Sequence, residues 1–181
     1  RGQFLEMSMM ENLGVLHQFT FEMETYSGVV RNRNGLQWNK VGPFASYGIT
    51  TLPCDDGYVA FGASTEDQWE RLCAMLGRED LLDDPEFDTR LKRSQKSDTL
   101  DSLITDWMKG KTRQEVFLES SEKWFLPVAP VLNLNEVLRD PQFVQRNLFQ
   151  PLSHPEAGEA LYPTFPFAMS EIKPTVARAP L

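Results

Sequence analysis

The order of apolar and polar residues divides this chain into short elements. Residues Phe4 to Ser8 alternate apolar and polar, the two-residue period of a short strand. From Met9 to Tyr26 the period lengthens to that of a helix, with Met10, Leu13, Leu16 and Phe19 or Phe21 on one side. The following "SGVVRNRNGLQWNKVGP" mixes glycine, asparagine and basic residues without a period, and reads as a connecting segment. A hairpin comes next: "YGITTL" and "YVAFGA" are β-rich runs joined through the turn residues Pro53 to Gly57.

Helix signals dominate the middle of the chain. Ser64 stands as an N-cap, and Glu66 and Asp67 place acidic charge at the positive end of the helix that follows. Trp69, Leu72, Cys73 and Leu76 give that helix its apolar stripe, and Gly77 its stop. Asp84-Pro85 reads as a helix start that runs into a second, charged amphipathic stretch. Leu100, Leu103, Ile104 and Trp107 form another stripe, ended at Gly110. Thr112 and Glu115 make a capping box, followed by Val116, Phe117 and Trp124.

The segment "FLPVAPVLNLNEVLRDPQF" is an extended apolar strip followed by two helix starts. Asn133 has Glu136 three residues on, and Asp140 caps a helix with Pro141 at its first position. The strip is expected to return to the hairpin's sheet. From Gln150 the tail is proline-rich with short extended pieces. A hairpin, several short capped helices and one more extended piece predict an α+β layer domain.

Composition narrows the function classes more than it names one. The 181 residues are 41% hydrophobic and 24% charged, enough for one domain with a real core. A net charge of −8 argues against a nucleic-acid partner or an anionic membrane surface. No apolar run approaches the ~20 residues of a bilayer span, and no signal peptide is present, so a cytoplasmic location is expected. Cys54 and Cys73 make no disulfide framework and read as reduced, buried thiols. Opening on Arg1 and stopping on "VARAPL", the chain is expected to be cut from something longer.

The residues show no self-contained active site. His17 and His154 lack partners at metal-ligand spacing, so no metal site is expected. There is no Gly-x-Ser-x-Gly elbow, and no glycine-rich loop precedes a helix. Turn chemistry accounts for Asp55 and Asp56. The helix dipole accounts for Glu66, although a carboxylate between a strand and a helix is also a candidate general base. Trp69, Trp107 and Trp124 lie on apolar stripes and belong to the core.

Three blocks add a resemblance. "RGQFLEMSMMENL", "YGITTLPCDDGYVAFGASTEDQWERLCAMLGREDLLDDPEFDT" and "FLPVAPVLNLNEVLRDPQFVQRNLF", in that order and spacing, resemble the family III (CaiB/BaiF-type) CoA-transferases, which include α-methylacyl-CoA racemases. The resemblance implies a large CoA-binding domain, a small α+β domain inserted through two linkers, and a homodimer of interlocked chains. On that pattern residues 1–27 are a strand and helix of the large domain, and 28–40 the outgoing linker. Residues 41–149 are then the small domain, a small antiparallel sheet with several short helices. Residues 150–181 are the returning linker and the start of the C-terminal part.

The resemblance also implies acyl-CoA and carboxylic acid substrates, with coenzyme A a substrate and no separate cofactor. The family's nucleophilic aspartate would lie upstream of Arg1, leaving no catalytic residue in this chain. The implied share of the substrate pocket is Gly42, Pro43, Phe44, Ala45 and Tyr47. In formyl-CoA transferase-like members the matching loop is glycine-rich, whereas here it holds one glycine, which counts against formyl-CoA and oxalate. Phe44 and Tyr47 line an acyl pocket or else pack on the hairpin. Glu66 lies near the acidic residue that assists the racemases. Three functions therefore stand: CoA transfer to a carboxylic acid, racemisation of an acyl-CoA, or a non-catalytic module that associates through faces such as Met10, Leu13 and Leu16.

Overall fold

The structure is a computed structural model that describes residues 2–30, 47–167 and 169–171. The chain divides into two compact units, 1–130 and 131–181. The expected small-domain span, 41–149, runs across this division.

In the first unit, β1 (Ile49–Cys54) and β2 (Gly57–Gly62) form the expected antiparallel hairpin. Cys54 pairs with Gly57, which confines the turn to Asp55 and Asp56. The strip after the helices does return to this sheet: β3 (Val128–Pro130) pairs antiparallel with β2, giving the order β1-β2-β3. Alternation puts Thr50 and Leu52 of β1, Val59 and Phe61 of β2, and Val128 of β3 in the interior.

Helices cover that inner face. The first to follow the hairpin is α3 (Glu66–Leu76), and α5 (Ser97–Met108) and α6 (Arg113–Leu118) come later in the chain. Their apolar stripes supply Trp69, Leu72, Cys73, Leu100, Ile104, Met108 and Val116 to one core shared with the strands. As expected, Trp69 is wholly interior, while Trp107 and Trp124 pack on the core's margin. β2 and the strip ahead of β3 approach so closely at Gly62 that a Cβ there would stand 2.8 Å from Pro127 Cγ and 2.9 Å from its carbonyl oxygen. Only glycine fits that contact without a shift.

Several local expectations change. Phe4 to Ser8 is not a strand: no described strand pairs with it, and Phe4, Leu5 and Met7 are exposed. Alternation alone cannot form a strand without a ladder partner. The long first helix is two, α1 (Met9–Leu16) and α2 (Gln18–Ser27), broken at His17, whose N–H turns to Gly14 O at 3.0 Å. The N-cap of α3 is Thr65, not Ser64. Thr65 Oγ1 accepts from Gln68 N–H, and Gln68 Oε1 accepts from Thr65 N–H at 3.1 Å. Ser64 instead donates its hydroxyl to Gly48 O at 3.2 Å, across the base of the hairpin.

Asp84-Pro85 does not start a helix. Asp84 Oδ1 accepts from Glu86 N–H at 2.8 Å, a local turn that competes with the helical ladder. The next helix, α4 (Arg90–Gln95), begins after Thr89, whose hydroxyl caps Lys92 N–H. The irregular stretch lets Phe87 stack on Trp69, with ring centroids 6.4 Å apart and planes 17° from parallel. The expected capping boxes at Thr112/Glu115 and Asn133/Glu136 are both present, as is the Asp140 cap with Pro141 at the first helical position.

The second unit contains α7 (Leu134–Val137), α8 (Pro141–Gln145) and a separate hairpin. Its strands β4 (Phe149–His154) and β5 (Gly158–Pro163) pair along their whole length, so two of the tail's extended pieces, "PLS" and "ALYP", belong to one hairpin. Thr164 N–H donates to Leu148 O at 2.7 Å and closes the open end of that hairpin.

Candidate functional site

Of the six residues expected to line a substrate pocket, Gly42, Pro43, Phe44 and Ala45 lie outside the described residues. The other two, Tyr47 and Glu66, are brought near one another by Arg90. Tyr47 N–H donates to Arg90 O at 3.3 Å, and Arg90 Nε lies 3.6 Å from Glu66 Oε1. The start of α4 thus joins the foot of β1 to the first turn of α3.

Tyr47 is buried, with its hydroxyl directed inward. Its Oη donates to Asp101 Oδ1 on α5 at 2.9 Å, and Thr50 Oγ1 donates to the same oxygen at 3.2 Å. Burial, together with the charge of Asp101 and the hydrogen bond to it, pushes the Tyr47 phenol well above its ordinary range. These contacts join Tyr47 to α4 and α5.

Glu66 occupies the first helical position of α3 and is bound by two guanidinium groups. Arg93 donates to its Oε2 at 2.7 Å, and Arg90 approaches its other oxygen. The Arg93 hydrogen bond, opposed by partial desolvation and reinforced by the charges of both arginines, holds the carboxyl below its usual range. A carboxylate so stabilised is a weak base.

Arg93 is the residue that the pattern of the chain does not single out. Only 4% exposed, it donates from Nε to Phe87 O at 2.6 Å and lies 4.4 Å over the Trp69 ring. It ties α4 to the Phe87 turn and to α3 through hydrogen bonds, charge and a cation–π contact. In sequence it is one of three basic residues in "RLKR", and no spacing marks it as the interior one.

The other acidic candidates are structural. Asp56 accepts from Arg113 N–H at 2.7 Å and from Arg113 Nε at 3.3 Å, and Asp55 accepts from Gly110 N–H at 3.2 Å. The backbone hydrogen bond from Arg113 is the main reason the Asp56 carboxyl lies below its ordinary range. The two aspartates therefore clasp the hairpin turn to the α5–α6 loop and the first residue of α6, beyond what turn chemistry alone requires. His154 Nδ1 accepts from Glu156 and Ala157 N–H at 3.1 and 3.0 Å within the β4–β5 turn. Among the described residues no group of three or more His, Cys, Asp or Glu side chains is placed to hold a metal ion. No helix among them is long and apolar enough to cross a membrane.

The fold and these sequence blocks define the class. The model of CoA-transferase family III matches residues 1–181, and the chain belongs to that family. It is similar to the formyl-CoA:oxalate CoA-transferase of Streptomyces coelicolor, 30% identical over 113 residues, which cover 62% of this chain and 27% of that protein. It is also similar to the succinyl-CoA–D-citramalate CoA-transferase of Chloroflexus aurantiacus, 26% identical over 160 residues, covering 88% of this chain and 38% of that protein.

Two solved structures share the fold. Rv3272 of Mycobacterium tuberculosis superposes with a TM-score of 0.72 at 17% identity, covering 96% of this chain and 43% of that one. A CAIB/BAIF family protein of Brucella suis superposes at 0.67 with 22% identity, covering 100% of this chain and 45% of that one. The chain thus spans less than half the length of these relatives.

Proposed function

We propose that this chain is part of an acyl-CoA:carboxylate CoA-transferase, in which CoA passes from an acyl-CoA to a free carboxylic acid. The observation that carries the reading is the family match along residues 1–181, joined to relatives that are themselves named CoA-transferases. The nucleophile is an aspartate upstream of Arg1. Its carboxylate attacks the thioester carbonyl, the CoA thiolate leaves, and an acyl–aspartyl anhydride forms. The thiolate then attacks the aspartyl carbonyl, releasing the donor acid and leaving an enzyme thioester. The acceptor carboxylate reverses these steps with a new acyl group. Dividing the exchange this way replaces one difficult substitution with easier ones. Catalysis requires the longer protein, acting as a homodimer in the cytoplasm, and this portion alone is inactive.

Within that protein, residues 41–149 serve as the small domain, with Gly42 to Ala45 contributing to the pocket wall. The inward hydroxyl of Tyr47 suits an anchor for that wall better than a group in contact with substrate. The ion-paired state of Glu66 favours transfer over racemisation, because abstracting the proton next to a thioester calls for a carboxylate of raised basicity. The test uses the full-length protein with an acyl-CoA donor in deuterated water. CoA transfer that depends on an added carboxylic acid supports the reading. Deuterium entering the α-position without any acceptor overturns it in favour of a racemase.

A second reading concerns the chain as it stands. Met10, Leu13 and Leu16 of α1 are exposed, as are Phe19 and Phe21 of α2, large apolar side chains that gain from burial against a partner. The isolated 181-residue chain therefore self-associates. Sedimentation across a concentration series should show mass rising with concentration, and a monomer at every concentration rejects it.

A further inference from the structure

We draw no further inference here: the strongest candidate, the exposed apolar face of α1 and α2 with the groove lined by Gly14, Val15, Gln18 and Phe21, carries nothing beyond the self-association already proposed, because nothing in the structure shows what covers it.

Discussion

The hydroxyl of Tyr47 and the carboxylate of Asp101 meet at 2.9 Å although 54 positions separate them in the chain. Thr50 shares the same acceptor oxygen at 3.2 Å, so one side chain on α5 satisfies two donors at the foot of β1. Replacing Asp101 with alanine leaves both buried residues without that acceptor. The expected loss is about 2–3 kcal/mol in urea unfolding. Asparagine, which retains an oxygen there, should cost less. Equal costs for the two variants would count against the shared-acceptor geometry.

The same pair predicts an alkaline limb of instability. The folded-state phenol of Tyr47 titrates well above the ordinary value of 10.0. Its contribution is therefore complete below about pH 10 and is lost as pH rises through the folded-state value. Denaturation midpoints measured from pH 8 upward should fall less steeply in Tyr47→Phe than in the parent.

Glu66 gives the opposite sign in acid. Its folded-state carboxyl titrates below the ordinary value of 4.5, so its contribution is present above about pH 4.5 and lost as pH falls through the lowered value. Because the carboxylate is more than half exposed, Glu66→Gln should cost only about 1 kcal/mol at neutral pH. It should also flatten the acid limb. Arg93→Ala should cost more, about 3 kcal/mol, because it also removes the bond to Phe87 O and the contact with Trp69. A smaller loss for Arg93→Ala than for Glu66→Gln would overturn this ranking.

Phe125 offers a stabilising substitution. It has a φ of 51°, a left-handed conformation that glycine adopts readily, and its side chain is 70% exposed. The residue closes the π-helical turn Glu119–Lys123, where Leu126 N–H reaches back to Ser120 O at 3.0 Å. Phe125→Gly should raise stability by about 1 kcal/mol, since it relieves strain and gives up little buried surface. A lower thermal midpoint would show that the phenyl ring contributes to the fold.

The two thiols should separate cleanly. Cys73 is fully buried, and that burial pushes its pKa to about 12. Cys54 is only partly covered. A disulfide reagent near neutral pH should modify one equivalent at Cys54 in the native protein and reach Cys73 only on unfolding. Labelling Cys73 at the native rate of Cys54 would contradict the core packing.

The hairpin, the stripes of α3 and α5, and three of the helix caps were legible because each depends on residues within a few positions. Asn-x-x-Glu or Thr-x-x-Glu closes on itself wherever the chain turns helical, and Asp-Pro at residues 140–141 does the same. The same reasoning misjudged Ser64 and Asp84. Both side chains had a competing partner that periodicity does not reveal: Gly48 O across the hairpin base for one, and Glu86 N–H for the other. The strand expected at Phe4 to Ser8 required a neighbour that no local pattern supplies.

By itself the sequence determined the α+β class, the capped helices, the return of "VAPV" to the sheet and, through three ordered blocks, the family. The class and the caps follow from local periodicity and short-range hydrogen bonds, whereas the family was read from the resemblance of those blocks. The tertiary structure alone decided that Tyr47 turns inward to Asp101, that Arg93 rather than its basic neighbours is buried, and that Glu66 is held as a counter-ion. Charge and hydrogen-bonding capacity are written in the residue type. Which partner satisfies them depends on what the fold brings within 3 Å.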